Sequence, residues 1–208
     1  MAFCIVKMVI PFGPLKGKDA QVKRGCDCEA LKIVKEEQQE AKKARLKRIF
    51  EENSFINPSL KEATFENFES NEFRQALQKA KRYVEEFDLK NPKNLFFQGS
   101  FGTGKSHLSM SIAKALTEKG YTTIFISTPK LLTKIRNTYN KESGISEEQI
   151  INAIADADLV VFDDIGAEGE ISGWGMQKLF EVIDQRAGKH NIYTTNLSSI
   201  EFEASKDL

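Results

Sequence analysis

From residue 94 onward, short apolar runs alternate with segments whose apolar residues recur every three or four positions, the signature of strands alternating with helices. Asn94-Leu95-Phe96-Phe97-Gln98 is the first such run, and a helical pattern over 107–119 follows, with Leu108, Ile112, Ala115 and Leu116 on one face. Gly120 predicts a helix C-cap, and the β-branched stretch 122–126 predicts a strand. Two helical pieces come next, over about 129–140 and 146–155, separated by Ser143-Gly144. Asp158-Leu159-Val160-Val161-Phe162-Asp163-Asp164 predicts a third strand. Its unbroken apolar centre calls for burial on both faces, as in a parallel sheet. A helix over about 175–186, with Leu179, Phe180, Val182 and Ile183 for the core, and a strand over 191–196 complete the series. Strands alternating with helices predict crossovers onto one parallel sheet, an α/β fold.

Upstream, the pattern changes twice. The stripe Phe73, Leu77, Ala80, Val84 and Phe87 predicts a helix over about 71–87. Pro58 interrupts the segment before it, and a fresh start follows at Thr64-Phe65-Glu66-Asn67-Phe68. Residues 29–53 are charged and lack Gly and Pro. Their sparse apolar positions (Leu31, Val34, Ala41, Ala44, Ile49) predict a connector helix packed lightly on one face. The first 28 residues hold Pro11, Pro14, three glycines and all three cysteines with little periodicity, which predicts an irregular segment. The expected organisation is a small N-terminal segment over 1–28, a charged helical linker over 29–60, and an α/β core over 61–208.

Chemistry enters at the first strand–helix junction. Residues 99–106 read Gly-Ser-Phe-Gly-Thr-Gly-Lys-Ser, a complete phosphate-loop pattern between a strand and a helix. Backbone N–H groups of such a loop, together with the helix N-terminus, form a concave anion site suited to a triphosphate. Gly99, Gly102, Thr103, Gly104, Lys105, Ser106 and the adjoining His107 are the candidate nucleotide-binding residues. Lys105 supplies point charge on the terminal phosphates, and the Ser106 hydroxyl is placed to ligate magnesium. The expected ligands are therefore ATP and Mg2+.

An acidic pair ends the third strand. Carboxylates at the carboxyl end of a buried parallel strand face the crevice where open α/β sheets bind ligands. Asp163 is the candidate magnesium residue, and Asp164 the candidate general base for an attacking water. Asn196, closing the next strand, is aimed at the same edge and is a candidate for orienting that water or contacting the γ-phosphate; Thr195 is a weaker one. Lys105, Asp164 and Asn196 form the expected catalytic set.

Charge and cysteines bound the remaining readings. Thirty basic residues balance thirty acidic ones, so no global field draws the chain to nucleic acid or membrane. No apolar run reaches the length of a membrane helix. Local patches remain: Lys42, Lys43, Arg45, Lys47 and Arg48 in the connector, and Lys130, Lys134, Arg136 and Lys141 beside Tyr139. Cations with an aromatic suit a single strand, and a solvated helix face explains the same pattern. Three cysteines with a nucleotide site point to reduced thiols in a cytoplasm. Cys4, Cys26 and Cys28 are candidates for a zinc site, although a structural zinc takes four ligands; buried inert thiols are the other reading.

The strings Gly-Ser-Phe-Gly-Thr-Gly-Lys-Ser-His-Leu, Val-Phe-Asp-Asp-Ile-Gly-Ala-Glu and Tyr-Thr-Thr-Asn-Leu-Ser together resemble the DnaC/DnaI replicative-helicase loaders, which are AAA+ ATPases. The resemblance covers about residues 60–200. It implies a P-loop AAA+ core, with Lys105 and Ser106 as Walker A, Asp163 and Asp164 as Walker B, and Asn196 as sensor I. It also implies a DnaB-type replicative helicase as partner, single-stranded DNA facing the 129–155 helices, self-association, and an aromatic of 64–68 near the adenine. The setting it implies is a bacterial cytoplasm, with a host or a phage as source of the gene. Loaders of one branch carry an N-terminal zinc module. The sequence departs from the family pattern after Asn196: Leu208 follows by 12 residues, and no arginine follows Arg186. Weak hydrolysis is therefore expected, with the phosphate-loop strand at a sheet edge. Two alternatives stay open, a non-catalytic nucleotide-binding interaction protein and a transposition-helper ATPase.

Overall fold

Leu159–Ile165 (β5) is buried from Leu159 through Asp163, and alternate residues along it feed two separate cores. The computed structural model describes residues 3–9, 19–25, 33–34, 37–38, 40–41, 44, 58–69, 72–139, 145–166 and 173–198. Four strands, Asn94–Gln98 (β3), Thr123–Ser127 (β4), β5 and His190–Thr195 (β6), pair in parallel in the order β3-β6-β5-β4. Val160 and Phe162 of β5 join Ile124 and Ile126 of β4 in one core. Leu159 and Val161 join Phe125 and Ile192 in the other. The period-2 alternation of a strand thus distributes one apolar run to both faces.

Helices cover each face. Arg74–Glu85 (α1) and Lys105–Glu118 (α2) bring Ala80, Val84, Leu108, Ile112 and Leu116 to one core. Thr128–Asn137 (α3), Glu147–Asp156 (α4) and Gly173–Asp184 (α5) bring Leu131, Ile135, Ile150, Ile154, Leu179 and Val182 to the other. Ser146 starts α4 with a reciprocal cap: its hydroxyl accepts from the Gln149 N–H, and the Gln149 side chain accepts from the Ser146 N–H. A short 3-10 helix, Pro58–Glu62, precedes the Thr64 segment.

Arg186 is fully buried without a carboxylate in its hydrogen bonds. Its guanidinium donates to the carbonyls of Ile154, Ala157 and His190 and to Asn191 Oδ1, at 2.6–2.9 Å. A cation at the carboxyl end of α4 complements the helix dipole. Burial nevertheless pulls the guanidinium down to about 10.

The chain divides into two compact units, Met1–Ala44 and Arg45–Leu208. In the first, Phe3–Val9 (β1) and Asp19–Gly25 (β2) form an antiparallel ribbon, with Phe3 opposite Gly25 and Val9 opposite Asp19. This corrects the expectation of an irregular segment there. Ile5, Val6 and Val9 favour a strand, but the partner Asp-Ala-Gln-Val-Lys-Arg-Gly is polar and shows no alternation to reveal it. Described residues between 33 and 44 are helical, as the linker composition predicts, with Ile33 and Val34 exposed. The basic cluster from Lys42 to Arg48, Lys141, Cys26 and Cys28 lie outside the described residues, so they leave the zinc expectation untested.

Candidate functional site

Three segments meet at the carboxyl edge of the parallel sheet: the loop after β3, the end of β5 and the end of β6. The Gly99 N–H donates to the Thr195 carbonyl at 3.4 Å, joining the loop to β6. Gly104 caps α2 in the left-handed region, at φ 81°. A side chain there would face both that strain and the Phe68 ring, whose nearest carbon lies 2.4 Å from an ideal Cβ position. The loop thus has its shape because Gly104 has no Cβ and Phe68 lies against it.

Lys105 is buried at the first turn of α2, and its ammonium donates to the carbonyls of Gly99 (2.9 Å) and Ser100 (2.8 Å). Burial pulls that ammonium below the usual lysine range, while the Asp164 and Asp163 carboxylates act in the opposite direction. Thr103 Oγ1 donates to the Ser100 carbonyl, which braces the turn.

Ser106 Oγ donates to Asp163 Oδ1 at 2.8 Å across 57 residues of sequence. The same oxygen accepts from Thr194 Oγ1 at 2.6 Å. Asp163 is only 4% exposed, and burial pushes its carboxyl upward. The hydrogen bonds from Thr194 and Ser106 oppose that push, Asp164 adds to it, and Lys105 opposes it. A serine hydroxyl against a carboxylate is a hard-oxygen donor set, the kind magnesium takes. These residues fit such an ion.

Asp164 has φ 58°, the one non-glycine residue with positive φ among the described residues. Asn196 Nδ2 donates to its Oδ1 at 3.3 Å. Asp163, Asp164 and Asn196 therefore meet where the sequence puts them. Thr195 does not: its hydroxyl donates to the Ile165 carbonyl and accepts from the Leu197 N–H. That engagement corrects its reading as a second water-orienting group.

His107 lies in the first turn of α2 and is engaged with the 64–68 segment. Its Nε2 donates to the Thr64 carbonyl at 2.8 Å, and its ring meets Phe68 edge-on at 5.4 Å. It anchors the 64–68 segment, whose turn is closed by Thr64 and Asn67 through reciprocal backbone and side-chain hydrogen bonds. On the opposite face of the sheet, Arg136 lies 4.8 Å above the Trp174 ring and Tyr139 meets it edge-on at 6.2 Å. Sequence reasoning missed Thr194 and Trp174, which carried no signal. Phe68 belongs to the 64–68 segment in which the resemblance implies an aromatic near the adenine, but its packing against Gly104 was not read.

Several known proteins are similar to this chain. Residues 20–206 match the family described as IstB-like ATP binding protein. Over 152 residues the chain is 34% identical to the replicative helicase loader DnaC of Escherichia coli strain K12, a stretch covering 72% of this chain and 60% of that protein. The crystal structure of the DnaC helicase loader is similar in fold, with a TM-score of 0.62 at 25% identity over 72% of this chain and 87% of that one. AMPPCP-bound DnaA from Aquifex aeolicus is similar with a TM-score of 0.56 at 26% identity over 69% of this chain and 44% of that one. The four-stranded parallel sheet with helices on both faces is the P-loop AAA+ fold of these neighbours. By the match that runs from the N-terminal ribbon past Asn196, this chain belongs to the IstB-like ATP binding protein family.

Proposed function

We propose that the chain is an ATP-binding replicative-helicase loader, coupling ATP binding and hydrolysis to single-strand contact and delivery of a DnaB-type ring helicase. The observation that carries the ATPase reading is the contact of Ser106 with Asp163, which joins the phosphate loop to the acidic pair. The loader reading rests on the similarity to DnaC.

In this reading the loop amides and Lys105 bind the phosphates, and Lys105 exchanges its carbonyl partners for phosphate oxygens. Ser106 and Asp163 would hold magnesium, which supplies positive charge against the phosphate oxygens. Asp164 accepts a proton from the attacking water, and Asn196 holds the Asp164 carboxylate in place. Catalysis is chiefly positioning and charge stabilisation, because phosphoryl transfer asks little covalent chemistry of the protein. Arg136, Tyr139 and Trp174 support single-strand contact on the other face, where a cation and two aromatics suit stacked bases.

The test uses purified chain, a DnaB-type helicase and labelled oligo-dT. Helicase capture and DNA anisotropy that both rise with ATP, and fall with Tyr139→Ala in the DNA arm only, support the proposal. ATP binding without helicase capture or DNA response makes the chain a nucleotide-binding protein of another role.

A further inference from the structure

The parallel ladder between β5 and β6 breaks at the acidic pair. Phe162 stands opposite Tyr193 and Ile165 opposite Thr195, so Asp163 and Asp164 together oppose the single residue Thr194. That is a β-bulge, two residues against one. In an unbroken strand consecutive side chains point to opposite faces. Here Asp163 meets Ser106 while Asp164 meets Asn196, so the bulge brings both carboxylates to the phosphate-loop edge.

A bulge leaves ladder groups unpaired and, in this one, holds Asp164 in the left-handed region, which costs roughly 1–3 kcal/mol for a residue with a side chain. Thr194 answers the unpaired group. Its hydroxyl lies 2.9 Å from the Asp164 N–H and 2.6 Å from Asp163 Oδ1. An amide N–H can only donate, so Thr194 Oγ1 accepts there and sends its own proton to the carboxylate. Both bond directions are fixed by this chemistry. Thr194 is fully buried, where valine would fill the space equally well, so the hydroxyl is the part that packing does not require. Among the described residues the hydrogen bonds from Ser106 and Thr194 both fall on Oδ1 of Asp163, so the two carboxylate oxygens are distinguished.

We propose that Thr194 is a positioning residue of the ATPase site: one hydroxyl holds the bulge that turns both aspartates toward the phosphate loop and fixes which oxygen of Asp163 faces magnesium. This rests on the ATPase reading above. Residues that orient a metal ligand from behind typically change metal affinity 10–100-fold when removed.

The experiment titrates a fluorescent ATP analogue into wild type, Thr194→Val, Thr194→Ser and Thr194→Ala, each in EDTA and across a Mg2+ series. In EDTA the variants bind within about threefold of wild type. The Mg2+ needed for half of the magnesium-dependent gain rises about tenfold or more in Thr194→Val and Thr194→Ala, and Thr194→Ser restores it. If Thr194→Val does not fold, the serine–alanine pair, which differs by the hydroxyl alone, decides the question. Equal Mg2+ requirement across all variants overturns the Thr194 proposal and leaves the ATPase reading standing, as does a serine variant as impaired as alanine. Absence of analogue binding by wild type overturns the ATPase reading, and this proposal with it.

Discussion

Asn196, the first residue past β6, donates its side-chain amide to the carboxylate of Asp164, a residue in the left-handed backbone region. The pairing predicts a separation of stability from chemistry. Asparagine tolerates positive φ better than most residues, so Asp164→Asn keeps the melting temperature within about 2 °C of wild type. The same change removes the carboxylate proposed to accept the proton, so single-turnover ATP hydrolysis is expected to fall by about 10²–10⁴-fold, with analogue affinity little changed. Asp164→Val at the same site adds backbone strain of about 1–3 kcal/mol, visible as an earlier thermal transition. Equal melting of the two variants would argue against a strained Asp164.

Gly104 and Phe68 make a second prediction. Gly104→Ala meets two penalties, the left-handed φ and the Phe68 ring. Together they cost about 2–4 kcal/mol in stability and abolish measurable nucleotide binding. Adding Phe68→Ala removes the steric part alone, so urea denaturation of the double variant recovers part of the loss beyond the cost of Phe68→Ala itself. Additive losses in the double variant would show that the two residues do not meet.

Arg186 predicts a large effect far from the site. Arg186→Met takes the guanidinium donor from the carbonyls of Ala157 and His190 and from Asn191 Oδ1, while the Ile154 carbonyl keeps the Ala157 N–H. Removing one side of such a buried network costs about 3–5 kcal/mol. Arg186→Lys keeps the charge but cannot reach the same fork of acceptors, so it loses most of that stability as well. Denaturant midpoints check both. A lysine variant as stable as wild type would mean that charge at the end of α4, rather than the fork, is what matters.

Much of the site was legible because its parts are local in sequence. The strand-loop-helix around Lys105 and the apolar run ending in Asp163-Asp164 each carry their own periodicity and composition. Thr194 was not legible, since a threonine in a strand reads as a β-former and its role arises from a register break against residues 30 positions away. Arg186 read only as the final arginine; its burial depends on two carbonyl-bearing segments converging, the end of α4 and the start of β6, which no periodicity reports. Tyr139 read as available to stack on a base; that α5 brings Trp174 edge-on beside it had no signal in the sequence. The N-terminal ribbon escaped because only one of its strands has apolar character.

The central claim is that a triphosphate docks on the loop ending at Lys105 and Ser106 opposite Asp163. Isothermal titration of ATP with magnesium into wild type and Lys105→Ala tests it directly. The account predicts one saturable site per chain in wild type and an affinity at least tenfold weaker in the variant, with both proteins folded by circular dichroism. Identical isotherms for the two proteins, or no heat with folded wild type, would contradict it.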